Sequence, residues 1–449
     1  MAVPNVVFVF GDQWREQATG FAGDPNVRTP YLDGLAGESC RFVNATSGCP
    51  ICTPYRGSLL TGQYPLTTGL FTNDVPLGTE SVGFGTAFRN AGYDTAYIGK
   101  WHVNAHGRAG YIPPERRQGF DHWRVLECTH DYWNSKYYAD DEREPRVWEG
   151  YDAAAQTREA QAYLRAHDPA RPCCLVLSWG PPHNPYHTAP EEYKALYDPE
   201  TLVLRPNVPP EREAEARKNL QGYYAHISAL DALLGELDAT LHDCGLAEDT
   251  IFVFTSDHGD MVGSQQWHTN KQCPYNESVL VPFLLRWPRR FGREAQTIRT
   301  PIDAPDILPT LLDLCGLPIP ATAEGRSLAP ALDGHDNPAD EDGVLLASFA
   351  PFADWSKLRF GGREYRGLRT TRYTYARDLH GPWLLFDNQE DPYQLTNLVN
   401  RPEVHAVQER LDAVLQDKLR QRGDAFEEST AYLERWGYRY DETGTVPYR

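Results

Sequence analysis

Short apolar runs bounded by turn residues alternate along this chain with longer segments whose apolar positions recur every three or four residues. The runs at 6–10, 95–98, 174–178, 251–255 and 283–287 are rich in β-branched and aromatic residues and read as strands buried on both faces. The longest helical stripe is Leu220, Tyr223, Ile227, Leu230, Leu234, Leu237 and Leu241, a core face rather than a cofactor surface. This alternation predicts an α/β domain over residues 1–342, with a large, mostly parallel sheet sandwiched by helices. From Gly343 the texture changes to strand-like segments at 344–349, 365–371, 373–377 and 383–386 and a helix at 402–422, a small α+β subdomain over 343–449.

Polar residues with chemical potential sit just beyond the strands: Asp12 after the first, Lys100 after the second, His183 after the third and Asp257 after the fourth. Open α/β sheets bind ligands outside the carboxyl ends of their strands, so this placement points to one shared site.

The formal charge of −19 on 449 residues argues against nucleic acid and offers no attraction to an anionic membrane. An anionic substrate would have to be drawn in by a local cluster of cations. No basic segment followed by a long apolar run opens the chain, so the expectation is a cytoplasmic protein, or a periplasmic one if a leader has been removed. Nine cysteines, an odd number spread over a long chain, suit reduced thiols better than a disulfide framework. The sequons at Asn44 and Asn276 are read as chance.

Residues 52–62 read Cys52-Thr53-Pro54-Tyr55-Arg56-Gly57-Ser58-Leu59-Leu60-Thr61-Gly62. Pro54 suits the first turn of a helix through 55–61 and leaves Cys52 at or just before its start, where an anion is favoured. Cys49-Pro50-Ile51-Cys52 is also a C-x-x-C, open to a redox or zinc reading. The other cysteines supply no second C-x-x-C for zinc, and a redox pair leaves Arg56 and the Thr61-Gly62 ending unexplained. The stretch resembles the formylglycine signature of type I sulfatases, in the alkaline-phosphatase-like superfamily. It departs from the family at Tyr55, where most members carry a small residue. The resemblance implies that a dedicated maturation enzyme oxidises Cys52 to 3-oxoalanine (formylglycine), whose hydrate attacks sulfur with one oxygen and expels sulfate with the other.

Other segments carry the same resemblance. Asp12 and Gln13, with Asp257 and His258, look like the family's ligands for one divalent cation, with the modified Cys52 as a further ligand. Many sulfatases have Asp in place of Gln13 and Asn in place of His258. Ca²⁺ is the cation the resemblance implies, while the imidazole also admits Mn²⁺ or Zn²⁺, and Mg²⁺ stays open. Asp260 is read as a turn residue. Lys100 and His102 resemble the family's Lys-x-His, which implies a lysine on a sulfate oxygen and a histidine base for sulfate elimination. His183, together with Lys271, would protonate the leaving oxygen, and Arg56 would hold the formylglycine and the metal ligands. Asn73, His187, Trp267 and His268 are further candidates for substrate contact. Leu384 to Leu398 resembles a stretch near the C-terminus of many sulfatases, so the likeness runs nearly the whole chain.

Between Phe120 and Tyr151 the chain concentrates Trp123, Trp133, Trp148, Tyr132, Tyr137 and Tyr138 among charged residues. This suits sugar rings and points to a small-molecule or oligosaccharide sulfate ester; the other reading is a loop packed on its own aromatics. Two rival functions remain. Phosphonate monoester and phosphodiester hydrolases share the formylglycine, although Lys100 and His102 favour a sulfatase. A non-catalytic anion-binding protein would keep Cys52 as a thiol. The sequence does not indicate an oligomeric state.

Overall fold

A computed structural model describes residues 3–265, 269–335, 342–357 and 361–448. Its main sheet has ten strands in the order Gln296–Ile298, Cys40–Phe42, Leu284–Arg286, Thr250–Ser256, Asn5–Asp12, Cys173–Pro182, Asp94–Lys100, His122–Leu126, Lys136–Ala139 and Arg146–Val147. The five strands from Thr250–Ser256 to His122–Leu126 run parallel, in register at Phe8 with Val176 and Val253.

Alternation along the first strand explains why both faces are covered. Val6, Phe8 and Phe10 pack into a core with Tyr55, Leu59, Ile307 and Leu308, on the helices Cys52–Thr61 and Ala304–Leu314. Val7 and Val9 point the other way, into a second core with the Leu220 to Leu241 stripe of the long helix Glu213–Asp243.

Leu284–Arg286 departs from the parallel pattern, pairing antiparallel with Thr250–Ser256 through Leu284 and Phe254. The chain leaves that strand at Asp257, and nothing in the described part of 257–283 recrosses the sheet; only the four-residue helix Asn276–Val279 interrupts it. Without a crossover helix the chain re-enters from the edge it left, which forces the antiparallel sense. The same detour keeps Lys271 at the carboxyl edge.

A second, four-stranded antiparallel sheet runs Val344–Ser348, Tyr365–Arg369, Tyr373–Asp378 and Gly381–Asp387. Leu368, Tyr375 and Leu385 on one face bury Leu411, Leu415 and Leu419 of the helix His405–Gln421. Leu346, Tyr365, Ala376 and Phe386 on the other face pack against Met261, Cys273, Tyr275 and Val279. This sheet therefore backs the loop that carries Lys271.

The aromatic segment is mostly packing. Trp123 and Tyr132 are fully buried, Tyr137 stacks on Trp148 at 3.7 Å, and only Trp133 is well exposed. All nine cysteines are free thiols. Among the described residues no helix is long and apolar enough to cross a membrane.

Candidate active site

Cys52 is the first residue of its helix, and the N-terminal peptide groups open at the carboxyl edge of the sheet. Ile51, the capping residue, offers no side-chain acceptor, and Asn73 supplies one: its Oδ1 accepts the Thr53 N–H at 3.0 Å. Thr53 Oγ1 in turn donates to the His102 carbonyl at 2.8 Å. At the far end Gly62 takes φ 69° and donates to Ser58, a left-handed stop that suits glycine.

Three groups converge on the Cys52 sulfur. His258 Nε2 and Lys271 Nζ each lie 3.2 Å from it and Asp12 Oδ1 3.7 Å. Burial alone would raise the thiol's pKa, but Lys100, Lys271 and His258 hold it well below the ordinary value. The other described cysteines with a shift go the opposite way, Cys49 and Cys174 among them, because burial acts there with little or no cationic opposition.

Behind the sulfur lies a buried charge network. Arg56 is 1% exposed and reaches Asp12 Oδ2 at 3.0 Å, Asp257 Oδ2 at 3.2 Å, and the Lys100 carbonyl and Ser178 Oγ at 2.8 Å each. Its guanidinium sits 4.9 Å over the Phe10 ring. Lys100 Nζ lies 2.5 Å from Asp12 Oδ2. Asp12 and Asp257 are close enough to repel: burial and Asp12 push Asp257 up, while Lys100 and Arg56 overcome burial to keep Asp12 ionised. Such a network costs desolvation, which its multiple hydrogen bonds offset.

The same groups fit a cation. Ligand atoms of Asp12, Cys52, Asp257 and His258 all lie within 4.8 Å of one another. His258 Nδ1 donates to the Gly259 carbonyl at 2.9 Å, which fixes the ring with Nε2 facing the cluster. Gln13 brings a buried amide oxygen, Oε1, with no hydrogen-bond partner, while its Nε2 donates to Asp260 Oδ2 at 2.7 Å. Asp260 also accepts from the Tyr186 hydroxyl at 2.6 Å. It is thus more than a turn residue, since it sets which way the Gln13 amide points.

His183 Nδ1 donates to the Asn184 carbonyl at 2.7 Å, and its Nε2 lies 3.1 Å from Lys271 Nζ. Burial and Lys271 lower its pKa, so the shared proton resides on the lysine. His130 stacks on His183, with centroids 4.6 Å apart and planes 11° from parallel. His102 takes φ 61°, and its Nε2 lies 3.0 Å from Asp74 Oδ1; its Nδ1 is buried without a partner. Burial opposes a charge on this ring, but Cys128 and the Asp74 bond raise its pKa to about 10.

The Sulfatase family profile matches residues 4–317. The chain belongs to the sulfatase family. A profile for the N-sulphoglucosamine sulphohydrolase C-terminal region matches residues 263–421 of this sulfatase. It is similar to an ulvan-active sulfatase of Formosa agariphila, 45% identical over 99% of this chain and 87% of that one. It is 31% identical to an endo-4-O-sulfatase of Bacteroides thetaiotaomicron, over 88% of each. A solved structure from glycosaminoglycan metabolism in Bacteroides thetaiotaomicron superposes with a TM-score of 0.85 at 30% identity, covering 96% of this chain and 98% of that one. Its alkaline-phosphatase-like fold is shared by more distant structures, including a phosphonate monoester hydrolase of Agrobacterium radiobacter (TM-score 0.75, 23% identity, 99% and 100% covered).

Of the residues the sequence nominates, Gln13, Cys52, Asn73, Lys100, His102, His183 and Lys271 line one cleft of about 690 Å³. Arg56, Asp12, Asp257 and His258 are buried in its floor. His187 is exposed on the turn Tyr186–Thr188 and is not among the cleft's described lining. Trp267 and His268 lie outside the described residues. Sequence reading missed Asp74, Arg108, Asn184 and Asp354. Asp74 adjoins Asn73, already nominated, and a carboxylate beside a pocket residue is the one signal that could have found it. His130 stood in the aromatic segment, and it is the member of that segment lining the cleft.

Proposed function

We propose that this sulfatase hydrolyses a sulfate monoester of a carbohydrate, using residue 52 as the nucleophile after its conversion to formylglycine. The convergence of Lys271, His258 and Asp12 on one side-chain atom at a helix N-terminus carries the reading. Conversion requires a maturation enzyme as partner. The hydrated aldehyde would supply an oxygen nucleophile and a second hydroxyl that expels sulfate.

The chain's own residues divide the remaining work. Lys100 and Lys271 place positive charge where the sulfate oxygens must sit, and in a buried site fixed charges count for more than in water. Lys271 holds the proton that would pass through His183 Nε2 to the leaving oxygen. His102, turned by Asp74, would take the proton from residue 52 that releases sulfate once oxidation of Cys52 removes the thiolate that helps hold the ring protonated. Arg56 locks Asp12 and Asp257 in one arrangement.

Asp12, Gln13, Asp257 and His258, with residue 52, would hold one divalent cation, whose charge would polarise the ester. Carboxylate and amide oxygens favour Ca²⁺ or Mg²⁺, and the imidazole admits Mn²⁺ or Zn²⁺. We favour Ca²⁺ on the family resemblance.

The carbohydrate assignment is supported by the ulvan-active relative and by the similar structure from glycosaminoglycan metabolism. Peptide mass spectrometry of residue 52, after expression with a formylglycine-generating enzyme, tests the reading directly. An unmodified thiol would overturn it. Comparing an aryl sulfate with an aryl phosphonate as substrate then separates a sulfatase from a phosphonate hydrolase; preference for the phosphonate would reassign it.

A further inference from the structure

The cleft above Cys52 carries more positive charge than a single sulfate uses. Its described lining includes Lys100, Lys271 and Arg108 against one carboxylate, Asp354. This stands in a chain of net charge −19. Lys100 is committed to Asp12, and Lys271 lies between Cys52 and His183. Arg108 serves neither. Its side chain is 49% exposed, and its approach to Asp74 is long, with Oδ2 3.9 Å from Nη2. Asp74 is engaged through its other oxygen by His102.

Arg108 is nevertheless held in place. Its carbonyl accepts the Cys128 N–H at 3.1 Å, and its guanidinium lies 5.3 Å over the Tyr448 ring. Contact with the Tyr448 ring and a hydrogen bond to its side chain hold the guanidinium in place, and at 49% exposure the remaining N–H groups are open to an anion in the cleft that Arg108 lines. A fixed, half-exposed arginine at the mouth of an anion site is suited to a two-point ligand.

We propose that Arg108 is a specificity-determining residue that binds a second anionic group on the substrate, a carboxylate or a further sulfate on the sugar next to the ester being cleaved. This rests on the reading of the cleft as a carbohydrate sulfatase site. A charge-assisted bidentate contact at this position would select charged oligosaccharides over neutral ones carrying the same sulfate.

Calorimetric binding to the full chain carrying Cys52→Ala, which cannot turn over, tests this without depending on maturation. Three ligands are compared: a monosulfated disaccharide with a neighbouring uronate, its carboxyl-reduced counterpart, and a counterpart with a second sulfate at the reduced position. At least one anionic ligand is expected to bind about tenfold more tightly than the reduced one, the equivalent of about 1.4 kcal/mol. Adding Arg108→Gln should abolish that preference, and Arg108→Lys should retain part of it. The two anionic arms identify which group is recognised. Equal binding of all three ligands overturns the proposal, and so does a preference that survives Arg108→Gln. Turnover of an aryl sulfate by the matured wild type is measured separately. Its absence alongside charge-selective binding would count against the sulfatase mechanism and leave the Arg108 site standing.

Discussion

His102 Nε2 lies 3.0 Å from Asp74 Oδ1, with both side chains buried. A histidine whose far nitrogen is held by a carboxylate presents the other nitrogen in one orientation, which makes it effective at moving a proton. Asp74→Asn should therefore lower kcat on the order of 10²-fold with KM little changed, read by steady-state hydrolysis of an aryl sulfate. Retention of full kcat would remove Asp74 from the mechanism.

Removing the base itself should separate the two halves of the reaction. His102→Ala is expected to give a rapid burst of leaving alcohol followed by slow sulfate release, resolved by quench-flow. Turnover at the wild-type rate would refute the assigned role.

The cation should depend on a residue that does not touch it. Asp260 accepts from Gln13 Nε2 at 2.7 Å and so fixes the amide with its buried Oε1 left without a hydrogen-bond partner. Asp260→Ala should weaken Ca²⁺ binding to chelator-stripped protein by about 10- to 100-fold in calorimetric titration. Unchanged affinity would indicate that Gln13 is no ligand.

Stability should respond to pH through a group far from the chemistry. Asp303 caps the helix Ala304–Leu314 and accepts the Gly48 N–H at 2.9 Å. Burial, then Asp306, raises its pKa from 3.8 to about 7. The folded state therefore binds a proton that the unfolded state has lost. This contribution is complete below pH 3.8, falls as pH rises, and is gone above about 7, a change of about 4 kcal/mol at most. Asp303→Asn keeps a neutral acceptor for both N–H groups. Its melting temperature relative to wild type should be higher at pH 8 than at pH 4.5; an equal difference at both would exclude the titration.

Much of the fold could be read from local pattern. Phe8 and Val9 point to opposite cores because strand side chains alternate, and the Leu220 to Leu241 stripe lies buried as its helical period requires. The sense of Leu284–Arg286 could not be read this way, since apolar content is the same whichever way a strand runs. The aromatic segment left two readings open for a related reason: composition alone does not distinguish a ring facing a sugar from one facing a neighbouring strand, and Trp123 faces the core.

The sequence by itself nominated residue 52 as the nucleophile and determined the strand-end positions of Asp12, Lys100, His183 and Asp257, and the family. These lie in short contiguous motifs whose spacing is set by backbone geometry. Only the tertiary structure decided the partners: Asp74 for His102, Asp260 for Gln13, His130 against His183, and Arg108 at the mouth of the cleft. Strand order and register determine which distant loops share the carboxyl edge, and no local period in the chain encodes that meeting.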